Sequence, residues 1–401
     1  MRSARLGGLT NTCMMDTAQY GPWSDLPPEL LGLVLKRLPS LADRVRLRAV
    51  CCPWRSNSML QPLPLPFPWL TLPDGTFLSI PSGEIHRISL PEGACCQGSI
   101  GNWLFLMHND DVCYLMNPFS NTRLELPKLA KVWKREIFDP DSRFSPIFYK
   151  LVVPFPLDSS SCSLVAALIM DNGNCGTLCI SKPPIVTESF KDDEHPVLEL
   201  EDVSFFDGKL YALCGFAQLF IFELDKDLGI SFMKCIIHYP GDLGGTLQSS
   251  LRVVWMIRQY LVECGGRLLM VIRWFRSMAH PTSDDCFEHD RTIELEVFEA
   301  DLRTEPVGWR TVSDLDGHAL FLGQHSCKSL RAGECTGYQE DCIYFMCDYP
   351  WPKYSANPLR DAGVYNVRNE TFMPLMSGTA AVPPRHAGQW RPTWFFPPEA
   401  V

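Results

Sequence analysis

Nowhere does the sequence hold an apolar run long enough to cross a bilayer as a helix, which takes about 20 such residues, so a helical membrane span is excluded. Also missing are the short motifs of common chemistries. There is no Gly-x-Ser-x-Gly elbow, no His-Glu-x-x-His helix, no Gly-x4-Gly-Lys-Ser/Thr phosphate loop and no kinase signature. No catalytic residue, metal or cofactor is therefore expected. Positive charge is in short supply: 36 Lys and Arg stand against 46 Asp and Glu, a net charge of −10, which argues against a general binder of nucleic acid. No secretory leader is recognisable, so the 17 scattered cysteines are read as reduced and buried thiols. That reading places the protein in the cytoplasm, the nucleus or both. Residues 1–22, with Arg2, Arg5 and no acid before Asp16, lack an amphipathic stripe and are expected to be a disordered tail, with Met14-Met15 as an alternative start.

What is present is an ordinary globular composition, 46% hydrophobic and 20% charged, with ample material for a core. Its first organised stretch is 24–56. Ser24 or Asp25 is expected to cap a helix with Pro27 and Pro28 in the first turn, where a missing N–H does little harm. Leu26, Leu30, Val34 and Leu38 recur at a spacing of four, with Leu31 and Leu35 beside them, and Pro39 closes the helix. Ser40 and Asp43 open a second helix carrying Leu41, Val45, Leu47, Ala49 and Val50; a third short turn carries Cys51, Cys52 and Trp54. So small a bundle cannot hide its apolar surface internally and needs a partner. Lys36, Arg37, Arg44, Arg46, Arg48 and Arg55 crowd the same segment, which suggests an acidic protein rather than nucleic acid. Residues 61–68, with alternating prolines, read as a stiff connector.

Beyond it the pattern changes to short strands and tight turns. Segments 69–72, 76–80 and 85–90 read as strands. A phrase then recurs in which a turn residue precedes an apolar strand: Gly101-Asn-Trp-Leu-Phe-Leu, Gly208-Lys-Leu-Tyr-Ala-Leu, Gly266-Arg-Leu-Leu-Met-Val and Asp341-Cys-Ile-Tyr-Phe-Met. Downstream partner strands follow at 112–118, 219–225, 293–301 and 363–367, and returning strands at 121–127 and 369–375. Small antiparallel sheets repeated along more than 300 residues are the grammar of a β-propeller, which this repetition favours over the alternative of a β-sandwich with extra hairpins. The closing aromatics Trp390, Trp394, Phe395 and Phe396 are expected to form a C-terminal strand that closes it.

Several other clusters invite functional readings and receive plainer ones. Cys327, Cys335, Cys342 and Cys347 with His318 and His325 lack the tight Cys pairs of zinc sites and are read as buried thiols. The glycine-rich 241–246 is read as a loop, the acids and histidines of 280–290 as a solvated loop, and 188–202 as a solvated acidic insertion.

The segment DLPPELLGLVLKRLPSLADRVRLRAVCCPWRS resembles an F-box of the plant type in its Leu26-Pro27, Glu29-Leu30-Leu31, Leu38-Pro39, Asp43-Arg44, Arg48, Val50-Cys51 and Trp54-Arg55. The segments 260–273, 298–302, 317–345, 363–367 and 392–398 are similar to the C-terminal domain of a large plant family of F-box proteins, a domain expected to be a propeller. Glu334-Cys335 stands where that pattern carries a Pro-Gly turn. The resemblance implies a multidomain α+β chain, a short N-terminal helical F-box followed by a mainly β, propeller-like domain. Its expected divisions are a tail 1–22, the F-box 23–60, a linker 61–68 and the β domain 69–398.

By the same resemblance, the F-box docks a Skp-type adaptor, and through it a cullin, while the β domain captures a protein substrate that the sequence does not identify. The adaptor-binding candidates are Leu26, Pro27, Leu30, Val34, Leu38, Val45, Val50 and Trp54, shared between the module's own core and the adaptor. No nucleic acid or membrane partner is expected. The competing reading is a propeller that binds a small ligand or acts as an enzyme, with a degenerate F-box. It requires a polar, acidic or histidine-rich channel lined from several blades, and no such constellation is visible in the sequence.

Overall fold

The computed structural model describes residues 22–38, 41–60, 65–80, 83–129, 146–154, 157, 164–171, 176–182, 185–189, 200–224, 230–238, 254–277, 291–332, 337–348, 359, 361–376 and 392–397. They fall into two compact units that divide between residues 63 and 64.

The first unit is helical. A 3-10 turn, Pro22–Asp25, precedes helix α1 (Pro28–Lys36), α2 (Leu41–Arg48) and α3 (Cys52–Met59). The expected cap by Ser24 or Asp25 is not formed: both lie in the 3-10 turn, and Pro27 holds the N-cap position without a side-chain acceptor. Pro28 at the start of α1 has no N–H to satisfy, so little is lost. The third segment is a helix of eight residues rather than a single turn. Its Trp54 donates Nε1–H to the Trp23 carbonyl at 2.7 Å, fastening α3 to the entry turn. Ser40 lies outside the described residues.

The second unit is built of six sheets among the described residues, each a blade of four or five strands. The first blade contains Trp69–Thr71, Thr76–Ser79, Ile85–Arg87 and, from the far end of the chain, Thr393–Phe395; the second runs from Ala94 to Leu126. The third spans Pro146–Ser189, the fourth Leu200–Ile237, the fifth Val254–Thr311 and the sixth His318–Pro374. The recurring turn phrase has a backbone cause. Asp207 and Gly208 (φ +46° and +71°) and Gly265 and Gly266 (φ +56° and +75°) are left-handed pairs, the geometry whose twist matches a two-residue hairpin. A Cβ on Gly208 or Gly266 would meet nothing within 4 Å, so glycine is used there for its φ and not for room.

Period-two alternation explains how the blades stack. In the second blade Leu104, Leu106, Tyr114 and Met116 pack toward the first, against Trp69, Phe77 and Phe395. The intervening Phe105, Cys113 and Leu115 pack toward the third, against Tyr149, Val165, Ala167 and Ile169. The last strand closes the ring as expected of Trp394, Phe395 and Phe396, while Trp390 lies outside the described residues. Leu70 pairs with Trp394, Trp394 reaches the sixth blade, and Phe395 faces Phe77 at 5.2 Å between ring centroids. Within the sixth blade His318–Leu322 pairs in parallel with the expected strand Cys342–Phe345, and Lys328–Arg331, which lies between them in the chain, adds an edge strand that the repeat pattern did not announce.

Three expectations change in this unit. Residues 65–68 of the connector belong to the propeller: Phe67 is buried, with its ring edge-on to Phe321, Tyr338 and Tyr344. The acidic stretch 188–202 is not a solvated loop at its end, because Leu200–Phe206 is a blade strand and Asp202 is buried. The strand read from Asp341 to Met346 is shorter than expected, Cys342–Phe345. Residues 190–199, 241–246, 280–290 and Glu334-Cys335 lie outside the described residues.

The described cysteines are free thiols. Burial pushes Cys96 and Cys214 up to about 12 and Cys113, Cys179 and Cys264 up to about 11, whereas Cys52 is exposed. A rise of Cys179 from 9.0 to about 11 lowers its thiolate fraction roughly a hundredfold before access is counted. Brief alkylation of the native protein near neutral pH is therefore expected to mark Cys52 and spare Cys113 and Cys179, as mapped by peptide mass spectrometry. Labelling of Cys179 as fast as Cys52 would show that the third blade is open.

Candidate functional site

The helical unit presents its apolar side chains differently from the sequence pattern. Its core is Leu31, Leu35 and Leu47, with Leu26, Leu38 and Trp54 partly buried against it. The four-residue stripe is split: Leu30 and Val34 are 48% and 41% exposed, while Leu31 and Leu35, one position on, are fully buried. On and just beyond α2, Val45 and Val50 are likewise exposed, and Pro27 is exposed at the start of α1. Of the eight candidates, the structure thus places Leu26, Leu38 and Trp54 against the module's own core and leaves Pro27, Leu30, Val34, Val45 and Val50 at the surface. Trp23, Leu33 and Leu60 join them as exposed large apolar groups outside the four-residue stripe. For Leu33 the signal was available, since it lies three residues from Leu30 on one helix face.

The basic cluster is also redrawn. Arg44 is fully buried and donates Nε–H to the Leu38 carbonyl at 2.9 Å, tying α2 to the end of α1. Arg48 is buried too, and burial pulls its guanidinium below its ordinary value. Of the three arginines on α2 only Arg46 is exposed, and it pairs with Asp43 at 2.8 Å. Two of the six cations are thus buried in the module and do not form a binding face.

In the propeller, a cavity of about 1640 Å³ opens at the end where the inner hairpins turn; the second to sixth blades line it, with Leu65, Pro66, Phe396 and Pro397 from the segments flanking the first blade's strands. Its charged lining includes Lys150 from the third blade, Asp207 and Lys209 from the fourth, Glu263, Arg267, Glu299, Asp301, Arg303 and Arg310 from the fifth, and Lys328 from the sixth, a grouping the sequence hid. At its floor Lys150 donates to both oxygens of Asp202, at 2.6 and 2.8 Å, and Asp202 also accepts from the backbone N–H groups of Leu261 and Val203 at 2.7 Å each. One carboxylate thereby joins strands of the third, fourth and fifth blades. Beneath, the buried His325 of the sixth blade bonds the Tyr149 carbonyl of the third through Nδ1 at 3.0 Å, a contact between blades on opposite sides of the ring. A Cβ on Gly98 would stand 3.3 Å from the His325 Cβ, so the axis is filled there. Cys327 lies beside Lys150, and burial first of all pushes its thiol up to about 11, which makes it a poor nucleophile. Among the described residues no group of three or more His, Cys, Asp and Glu is placed to hold a metal.

Comparison with known proteins agrees with this architecture. An F-box-like family matches residues 23–59, and the family described as KIB1-4 beta-propeller matches residues 77–366. F-box protein SKIP23 of Arabidopsis thaliana is 24% identical over 391 residues, covering 86% of this chain and 89% of its own length. Putative F-box/kelch-repeat protein At5g24040 of Arabidopsis thaliana is 22% identical, covering 81% of this chain and 86% of its own. Among solved structures, apo AztD from Citrobacter koseri covers 83% of this chain and 99% of its own at 10% identity, with a TM-score of 0.31 that is too low to carry weight. With helices at 23–59 and blades through the matched span, the chain belongs to the KIB1-4 beta-propeller family and is an F-box protein of that family.

Proposed function

We propose that this protein is the substrate-recognition subunit of a Skp–cullin–F-box ubiquitin ligase, working in the cytosol or nucleus without covalent chemistry of its own. The observation that carries the reading is the set of large apolar side chains left exposed on a unit of three short helices: Leu30, Leu33 and Val34 on α1, with Val45 and Val50 at α2. Monomeric surfaces seldom gather such side chains, and a folded partner that buries them supplies the missing core. A Skp-type adaptor is the partner that an F-box-like module calls for. The propeller would then hold a substrate protein near the ubiquitin-charged enzyme, raising the effective concentration of its lysines. The free thiols of the described cysteines suit a reducing compartment.

The test is co-purification of the intact chain with a Skp-type adaptor, using a variant that the structure selects. Leu30→Ser with Val50→Ser removes exposed groups and leaves Leu31, Leu35 and Leu47 in place. Losing two buried aliphatic contacts at an interface amounts to about 3 kcal/mol, on the order of a hundredfold in affinity. Adaptor binding is expected to be lost while the thermal melt of the propeller is unchanged. Equal capture of variant and parent would refute this docking face.

A further inference from the structure

Three features separate the axial cavity from an unremarkable groove: its size, its apolar wall and the state of its charges. At about 1640 Å³ it exceeds the roughly 300–1,000 Å³ of ordinary small-molecule sites. Trp103, Phe206, Tyr211, Leu157 and Phe396 supply apolar surface around it. Its carboxylates are largely engaged by the fold. Glu263 accepts from the Gly266 N–H at 3.0 Å, and Asp301 accepts from Thr304 at 2.7 Å and pairs with Arg310 at 3.4 Å. Glu299 lies 3.8 Å from Arg310 and 3.9 Å from Arg267. Only Asp207, exposed at its turn, is uncommitted among the carboxylates of this lining.

Two of the cations, Lys209 and Arg303, are in the opposite condition. Lys209 and Arg303 are exposed in the lining, and neither side chain makes an ion pair with a described residue. Arg267 leaves Nη2 without an acceptor, and Trp103, 5% exposed in the wall, leaves its Nε1 donor without one. Lys328 extends over the Phe396 ring, with Nζ at 4.9 Å from its centroid. Donors and positive charge are thus in excess inside a concave site with apolar walls, on a chain whose net charge is −10.

We infer that this cavity is the substrate-capture site and that it takes an acidic peptide segment carrying an aromatic or aliphatic side chain. Carboxylates of the peptide meet Lys209 and Arg303 at the rim, and its apolar residue lies against Trp103 and Phe206. The inference rests on the receptor reading above and deepens it.

Fluorescence anisotropy of the intact protein with a short labelled peptide rich in Glu and Phe tests it, with the Gln-for-Glu peptide as control. The Glu peptide is expected to bind more tightly than the Gln peptide and to weaken as salt rises. Lys209→Glu with Arg303→Glu is expected to weaken it by about tenfold or more, with adaptor co-purification and the thermal melt unchanged. Equal binding of the two peptides, or full binding by the double variant, overturns the proposal. Displacement of the peptide by free glutamate or inorganic phosphate at matched concentration also overturns it, in favour of a small-anion pocket. Because adaptor capture is read on the same samples, its loss in the parent protein would count against the ligase assignment alone.

Discussion

Arg273→Met is expected to lose about 3–5 kcal/mol of stability, the range found when one member of a buried charge group is removed. The arginine is fully buried in the fifth blade. Its Nη1 donates to Asp348 at 3.0 Å and to the Met346 carbonyl at 2.8 Å; Nη2 donates to Asp361 at 2.8 Å and Nε to Thr292 at 2.8 Å. Phe275 and Phe345 lie 4.7 and 4.6 Å from the guanidinium carbon by their centroids, so the cation also stacks between rings. Both carboxylates belong to the sixth blade's segment and are themselves buried, which makes Arg273 the clasp between two blades. Methionine fills much of the volume but leaves Asp348 and Asp361 without their counter-ion.

A sign follows for the pH dependence of that variant. Burial pushes Asp348 above the ordinary carboxylate range, and Arg273 is the strongest influence drawing it back. Without the arginine the folded state favours the protonated acid more strongly. Folding then takes up a proton, and the variant's stability rises as pH falls. The deficit relative to the parent should narrow on going from neutral pH toward about pH 5, as read by urea titration at each pH. Adding Asp348→Asn and Asp361→Asn should recover part of the loss. A single variant within about 0.5 kcal/mol of the parent would show that the cluster contributes no net stability.

Trp394→Ala is expected to cost about 3–5 kcal/mol, as for other buried aromatic truncations, and to act on ring closure. The indole is fully buried, donates Nε1–H to the Leu322 carbonyl at 2.8 Å and meets Phe321 edge-on at 5.2 Å. Ser99 of the second blade donates to its backbone carbonyl, and the Phe396 N–H donates to the Gly101 carbonyl at 3.0 Å. The last strand therefore touches the sixth, first and second blades together. Removing the ring leaves a cavity and a buried carbonyl without its donor. The expected signature is a lower denaturation midpoint with earlier proteolysis at both ends of the propeller. Trp394→Phe should retain most of the packing and lose chiefly the hydrogen bond, about 1 kcal/mol. If the alanine variant melts with the parent, the C-terminal strand is not what closes the ring.

Much of this protein can be read locally, and for a physical reason. The blade phrase is a property of single hairpins: a left-handed turn at Gly208 or Gly266 and an apolar strand after it need only neighbouring residues to declare themselves. The strands read at 76–80, 112–118, 219–225, 293–301 and 363–367 accordingly match Thr76–Ser79, Cys113–Met116, Gln218–Leu224, Arg291–Asp301 and Gly363–Asn366. The helices at 28–36 and 41–48 declare themselves through their prolines and spacing. Only the tertiary structure decided which leucines those helices hide. Leu30 and Leu31 are equally apolar and adjacent, and the packing of Leu47 from α2 and Trp54 from α3 separates the buried one from the exposed one. Arg44 and Asp202 look like solvated charges in the chain and become buried ties, because their partners lie on other elements: the Leu38 carbonyl for one, Lys150 and the Leu261 N–H for the other. The charged axial cavity is the extreme case. It draws residues from five blades and from the segments flanking the first, far apart in the chain, and no local pattern can announce a site whose members meet only when the ring closes.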